Sequence, residues 1–208
     1  LAYTAIDLLM SARDERGIAG LAAVYDDARL SVRRKIVEAS ALLPSPSGEL
    51  FDKALGEDDE AILAEAAWVV GWRAVDGQHE RILSLVDSVS PEIACNAIAA
   101  AGRLGVSDAA EVLGRRVYDR NPFVAANAVW ALQQLGLSPS VWELEVLLAR
   151  ASNPFLREAI YRSLIASASV DALERSLARE KSTALRERVQ GLRDGTTSAG
   201  GEDWVVID

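Results

Sequence analysis

The sequence predicts an all-α protein, a right-handed α-α superhelix of about six stacked helix pairs. Three observations carry that expectation. Residues 91–105 lie on residues 122–136 without a gap at an offset of 31, with proline, asparagine, alanine and glycine coinciding, and self-similarity at a fixed period of this length marks a repeat array. Within each unit the apolar positions follow i, i+4, i+5 and i+8, as in Ile93, Ala97, Ile98 and Ala101, which lie on one side of a 3.6-residue helix. No window alternates with period two, so no strand is expected.

The register extends in both directions. Upstream of Ile93 it reaches Ile62, Ala66, Ala67 and Val70, then Val32, Ile36, Val37 and Ser40; downstream it reaches Leu156, Ile160, Tyr161 and Leu164, and then Leu185 and Val189. A second, shorter helical run follows each first one, at 18–28, 49–55, 78–89, 108–118, 141–151 and 170–179. Ser90-Pro91, Asn121-Pro122 and Asn153-Pro154 each put a capping side chain before a proline in the first turn, where the missing N–H costs nothing. Gly105 and Gly136 suit left-handed ends of the first helices. A pair of about 31 residues cannot bury its apolar stripe alone, so stacking neighbours makes the core.

This pattern, around residues 93–105 and 124–136, resembles the HEAT-type α-solenoid repeat in its short, bacterial, bilin-lyase-like form, over about residues 1–193. One position departs from the usual repeat. The arginine after the first apolar residue is present as Arg33, Arg157 and Arg186, but Leu63, Ala94 and Ala125 stand there in the middle units. The resemblance implies a protein-interaction scaffold and fixes no catalytic residue. Its rival implication is an enzyme or enzyme subunit on the same scaffold, for example a chromophore lyase partner.

Composition narrows the function classes. Of 208 residues, 50% are hydrophobic and 25% charged, the profile of a globular chain. The net charge of −9 is spread over the chain, with −5 in residues 1–60, −2 in 61–120, −1 in 121–180 and −1 in the rest. Without a basic lobe to release counterions, nucleic acid is not an expected partner, and neither is an anionic membrane surface. No apolar stretch approaches the roughly 20 residues of a membrane span. A single cysteine, Cys95, and no signal-peptide layout point to a reducing, cytoplasmic compartment. The start at Leu1 rather than Met is compatible with a processed or excised segment.

No cofactor or metal is expected. His79-Glu80 is the one His-Glu pair, and a single histidine cannot hold a di-iron site; a structural or surface role is expected for it. The run Glu57-Asp58-Asp59-Glu60 lacks the spaced ligands and glycine of a calcium loop and lies where a helix starts, where carboxylates complement the dipole. The Asn-Pro-Phe triplets at 121 and 153 recur in register with the repeat, so capping explains them. Cys95 stands where the next unit has Ala126 and reads as a small packing residue.

Two surfaces stand out as candidate protein-binding sites. On the second helices, expected to line the concave groove, Arg81 is followed by Glu111, Arg115 and Tyr118, then by Trp142 and Arg150, then by Arg175 and Arg179. Arginines interleaved with rings suit an extended or helical protein segment that carries carboxylates and an aromatic. On the first helices Trp68 and Trp130 lie two repeats apart at equivalent positions, and the helical wheel points Trp130 away from the stripe of Ala128, Leu132 and Leu135. With Phe123 nearby they form a candidate convex patch for a partner or a second copy, unless helix rotation tucks the rings between neighbours.

After Arg193 the composition changes. Residues 194–208 read as a small, polar, flexible linker followed by Glu202-Asp-Trp-Val-Val-Ile-Asp208. A Trp and three aliphatics seek a partner surface. Trp204 is expected to dock near Arg175, Arg179 or Trp142, in its own molecule or a neighbour, with Asp203 or Asp208 facing an arginine.

Overall fold

The structure, a computed structural model, describes residues 2–196. Among them every regular element is helical. The first helices are α1 (Ala2–Ala12), α3 (Leu30–Ser40), α5 (Glu60–Arg73), α7 (Pro91–Leu104), α9 (Pro122–Gln134), α11 (Pro154–Ala166) and α13 (Thr183–Arg193). The shorter second helices are α2 (Glu15–Gly20), α4 (Gly48–Ala54), α6 (His79–Leu85), α8 (Ala110–Arg116), α10 (Val141–Arg150) and α12 (Val170–Arg179). Single 3-10 turns at Leu21–Val24 and Ser107–Ala109 extend α2 and precede α8.

The boundaries follow from local chemistry. Asn121 and Asn153 each accept N–H bonds from the first turn, Asn121 from Phe123 at 2.9 Å and Asn153 from Phe155 at 2.9 Å, with proline at the following position. Asp59 caps α5 by accepting from the Ile62 N–H at 3.0 Å. In that acidic run Glu60 also lies in the first turn of α5, and Glu57 pairs with Arg33. Ser140 and Glu143 form a reciprocal capping box on α10. Gly105 and Gly136 adopt φ of +70° and +71°, as their positions after the first helices require.

The described residues divide into two compact units, one ending at Leu104 and the other beginning at Gly105. In the first unit α1 packs on α3, α3 on α5 and α5 on α7, with α2, α4 and α6 alongside. The α5–α7 interface is built from small residues. Ala64, Ala66 and Ala67 on α5 and Ala97, Ala100 and Ala101 on α7 are all buried, as is Cys95 on α7. Asn96, also buried, donates its amide to the Ala64 carbonyl at 2.9 Å and so ties α7 to α5. Glu65 on α5 is held above the ordinary carboxylate range by burial and then by the like charge of Glu38.

In the second unit α9 packs on α11 and α11 on α13, while α8, α10 and α12 lie against them. The helix α9 is buried along its whole middle, from Val124 to Leu132, where every residue but Asn127 is apolar. Trp130 lies within that stretch and is 8% exposed. The expectation that Trp130 faces an open convex surface is therefore corrected: the wheel located the stripe of Ala128 and Leu132, but the opposite side of α9 is enclosed too. Trp68 is half-buried and stacks on Trp72 with centroids 6.2 Å apart and planes 8° from parallel, and Arg103 lies 5.3 Å over the Trp72 ring. Phe123 is half-buried against Phe155 at 5.5 Å.

The arginine of the repeat follows one rule. Arg33 donates to the Ala28 and Asp26 carbonyls at 2.9 and 2.8 Å and pairs with Glu57 at 2.8 Å. In the second unit Arg157 donates to the Leu148 and Ala151 carbonyls at 2.8 and 2.7 Å and pairs with Glu180. Each guanidinium thus closes the preceding second helix and holds the carboxylate that closes the following one.

Candidate functional site

The C-terminal ends of the second helices in the second unit frame a groove. It consists of two cavities that share Ala151 and Ser152 in their walls, one of ≈ 550 Å³ and one of ≈ 340 Å³. The smaller is lined by Tyr118, Arg120, Leu147 and Arg150, the larger by Leu148, Pro154, Arg179, Lys181 and Leu185. Helix geometry explains the cations: Arg150 and Arg179 are the last residues of α10 and α12, where a positive charge complements the C-terminal dipole. Their guanidiniums are exposed, and neither they nor Arg120 and Lys181 form an ion pair among the described residues.

Of the residues expected on the second helices, the structure brings Tyr118, Arg150 and Arg179 to this groove. Tyr118 is 53% exposed. Trp142, 71% exposed, lies in the first turn of α10, about 12 Å along the helix from Arg150. Arg175 is bonded to Glu145 at 3.1 Å, and Arg115 to Glu111 at 2.9 Å, so these two arginines already have carboxylate partners. Arg81 lies in the other unit and pairs with Asp52 at 3.2 Å. Trp204 lies outside the described residues.

Sequence reading missed Arg120, Lys181, Leu148 and Leu185 as groove residues. Arg120 and Lys181 sit in the loops just after the second helices, and only the stacking of helix ends makes those loops neighbours. Trp72 and Arg103 were missed beside Trp68, although the i, i+4 spacing of the two tryptophans was visible.

The electrostatics of the larger cavity are set by one buried knot. The Glu180 carboxylate accepts from Arg157, from the Tyr161 hydroxyl at 3.0 Å and from the Ser182 N–H at 2.9 Å. Burial alone would raise the Glu180 carboxyl, but the hydrogen bonds from Ser182, Arg157 and Tyr161 together hold it below the usual range. Burial, and then the neighbouring Glu180 charge, pushes the Tyr161 hydroxyl up to about 12. Of the charged residues that line the cavity, Glu180 is paired with Arg157 and Glu145 with Arg175, while Arg179 and Lys181 have no carboxylate partner among the described residues. Among the described residues no group of His, Cys, Asp and Glu is placed to hold a metal ion, and no helix is long and apolar enough to cross a membrane.

Comparison with known proteins agrees with this architecture. The fold is similar to that of a designed armadillo repeat protein, YIII(Dq.V1)4CPAF, in complex with the peptide (KR)4, with a TM-score of 0.51, 18% identity, and coverage of 92% of this chain and 85% of that one. The chain is thus an all-helical repeat protein of the solenoid class. Residues 79–165 match the family described as HEAT repeats. No curated protein matches the sequence.

Proposed function

We propose that the chain is a non-enzymatic interaction scaffold, an adaptor that holds an extended or helical segment of a partner protein along the second-helix groove. The observation that supports this most directly is the conjunction of unpaired, exposed cations with apolar wells in one groove: Arg120 and Arg150 beside Tyr118 and Leu147, then Arg179 and Lys181 beside Leu148 and Leu185. Guanidinium forks recognise carboxylates in a fixed geometry, and rings and aliphatics add contact area at low entropic cost. The segment that fits is acidic, with an aromatic or aliphatic anchor about every repeat. The designed armadillo protein holds its peptide on a related scaffold; there the ligand carries the cations, whereas here the groove does.

The test is titration of acidic, tryptophan-containing peptides against the intact chain and against the Arg150→Glu, Arg179→Glu double variant. The variant is expected to bind about tenfold or more weakly, and its affinity to depend less on salt. Equal affinity of the two proteins would remove the groove from the account. Both arginines are exposed at helix ends, so the helical circular dichroism should change little.

A further inference from the structure

We propose that the chain carries its own ligand for this groove: the segment Glu202–Asp208 occupies the larger cavity, with Trp204 in the apolar well formed by Leu148, Pro154 and Leu185 and the adjoining carboxylates against Arg179 and Lys181. The proposal rests on reading the groove as a protein-binding site, and it adds regulation to it, because the tail and an outside segment then compete.

Chemistry, reach and direction all support this occupant. In seven residues the segment combines three carboxylates with a tryptophan and three aliphatics, which complements a cavity lined by Leu148, Pro154 and Leu185, whose carboxylates Glu145 and Glu180 are paired with Arg175 and Arg157 and whose cations Arg179 and Lys181 are not paired. The volume, ≈ 550 Å³, falls in the range of clefts that enclose a small ligand. The distance to be covered is set by α13. Leu185, near the start of that helix, lines the cavity, and the helix runs on from it for eight residues to Arg193, about 12 Å, with the described chain ending three residues later at Thr196. The eight residues from Thr196 to Trp204, rich in Gly, Ser and Thr, have a typical span of about 16 Å.

The exit from α13 already turns the chain off the helix axis. Gly195 has φ of +68°, and the Thr196 N–H returns to the Gly191 carbonyl at 2.9 Å, the closure of a left-handed helix end. A linker whose typical span covers the gap gives an effective concentration in the millimolar range, so even a weak tail competes with a free partner.

The test uses the full chain and its Trp204→Ser variant, a change beyond the described helices, with the synthetic peptide Glu-Asp-Trp-Val-Val-Ile-Asp as probe. The variant is expected to bind the peptide about tenfold more tightly than the unmodified chain, and its amides at 179–185 to exchange faster in the absence of peptide. Equal binding by both proteins with unchanged exchange overturns the tail proposal and leaves the groove reading standing. Failure of both to bind the peptide also overturns it, and the groove is then judged by the Arg150→Glu, Arg179→Glu comparison with other acidic peptides. Protection at 179–185 that grows with protein concentration assigns the tail to a neighbouring copy and overturns its intramolecular form.

Discussion

Gly71 of α5 lies so close to Ala100 of α7 that a methyl group built on it would stand 2.7 Å from the Ala100 Cα and 2.8 Å from its Cβ. Backbone cannot yield as a flexible side chain does, so the small-residue interface between these helices requires glycine here.

Gly71→Ala therefore sets two effects against each other. Alanine improves helix propensity by about 1 kcal/mol, while overpacking a filled interface costs about 1–3 kcal/mol. The contact distance places the site at the costly end, and a net loss of about 2 kcal/mol is expected in urea denaturation. Gly114→Ala in α8 is the control. Its added methyl meets nothing within 4 Å, so the propensity gain of about 0.5–1 kcal/mol should be realised in full.

Glu180 links stability to acid. Its carboxyl is depressed in the folded chain, so it binds its proton more readily when unfolded, and its contribution is present above the unfolded value of about 4.3 and lost as pH falls through the folded one. The intact chain should lose stability on acidification below about pH 5, whereas Glu180→Gln should be less stable at neutral pH and flatter through the acid range. Arg157→Ala, which leaves the carboxylate 3% exposed without its cation, should cost about 3 kcal/mol.

Glu65 has the opposite sign. Its raised carboxyl means that the charged form is disfavoured in the folded chain, so its proton stabilises as pH falls. Glu65→Gln should raise the melting temperature at neutral pH and lose that advantage on acidification; a lower melting temperature at neutral pH would contradict it.

Trp130 is core. Trp130→Ala should cost about 3–5 kcal/mol, and Trp130→Glu should abolish the cooperative helical melt. Trp68→Ala, at a half-buried ring stacked on Trp72, should leave the fold intact at a smaller cost. Similar losses for the two alanine variants would show that exposure is a poor guide to what these rings support.

The first helices were legible because their signals are local. Proline, a capping asparagine and a left-handed glycine are read within a few residues, and α7, α9 and α11 begin at the prolines that announce them. The second helices were less so. The expected run at 78–89 is helical only over His79–Leu85, and that at 18–28 begins earlier and passes into a 3-10 turn at Leu21. Their last turns close through i to i+3 bonds such as Val86 to Leu83 and Ser88 to Leu85, a choice that apolar spacing does not register. The enclosure of Trp130 was not legible for a related reason: a helical wheel gives direction but not what lies there. The groove itself was half legible, since its arginines were visible but which helix ends meet depends on stacking.

The guanidinium of Arg157 has a consequence for how the groove responds to perturbation. It is bonded at once to carbonyls that end α10 and to the carboxylate that follows α12, from its own place on α11. The walls of the larger cavity are the ends of these same helices. A break at this one node is expected to loosen these helix ends together. Amides around the cavity should then open at a common free energy, which native-state hydrogen exchange would read.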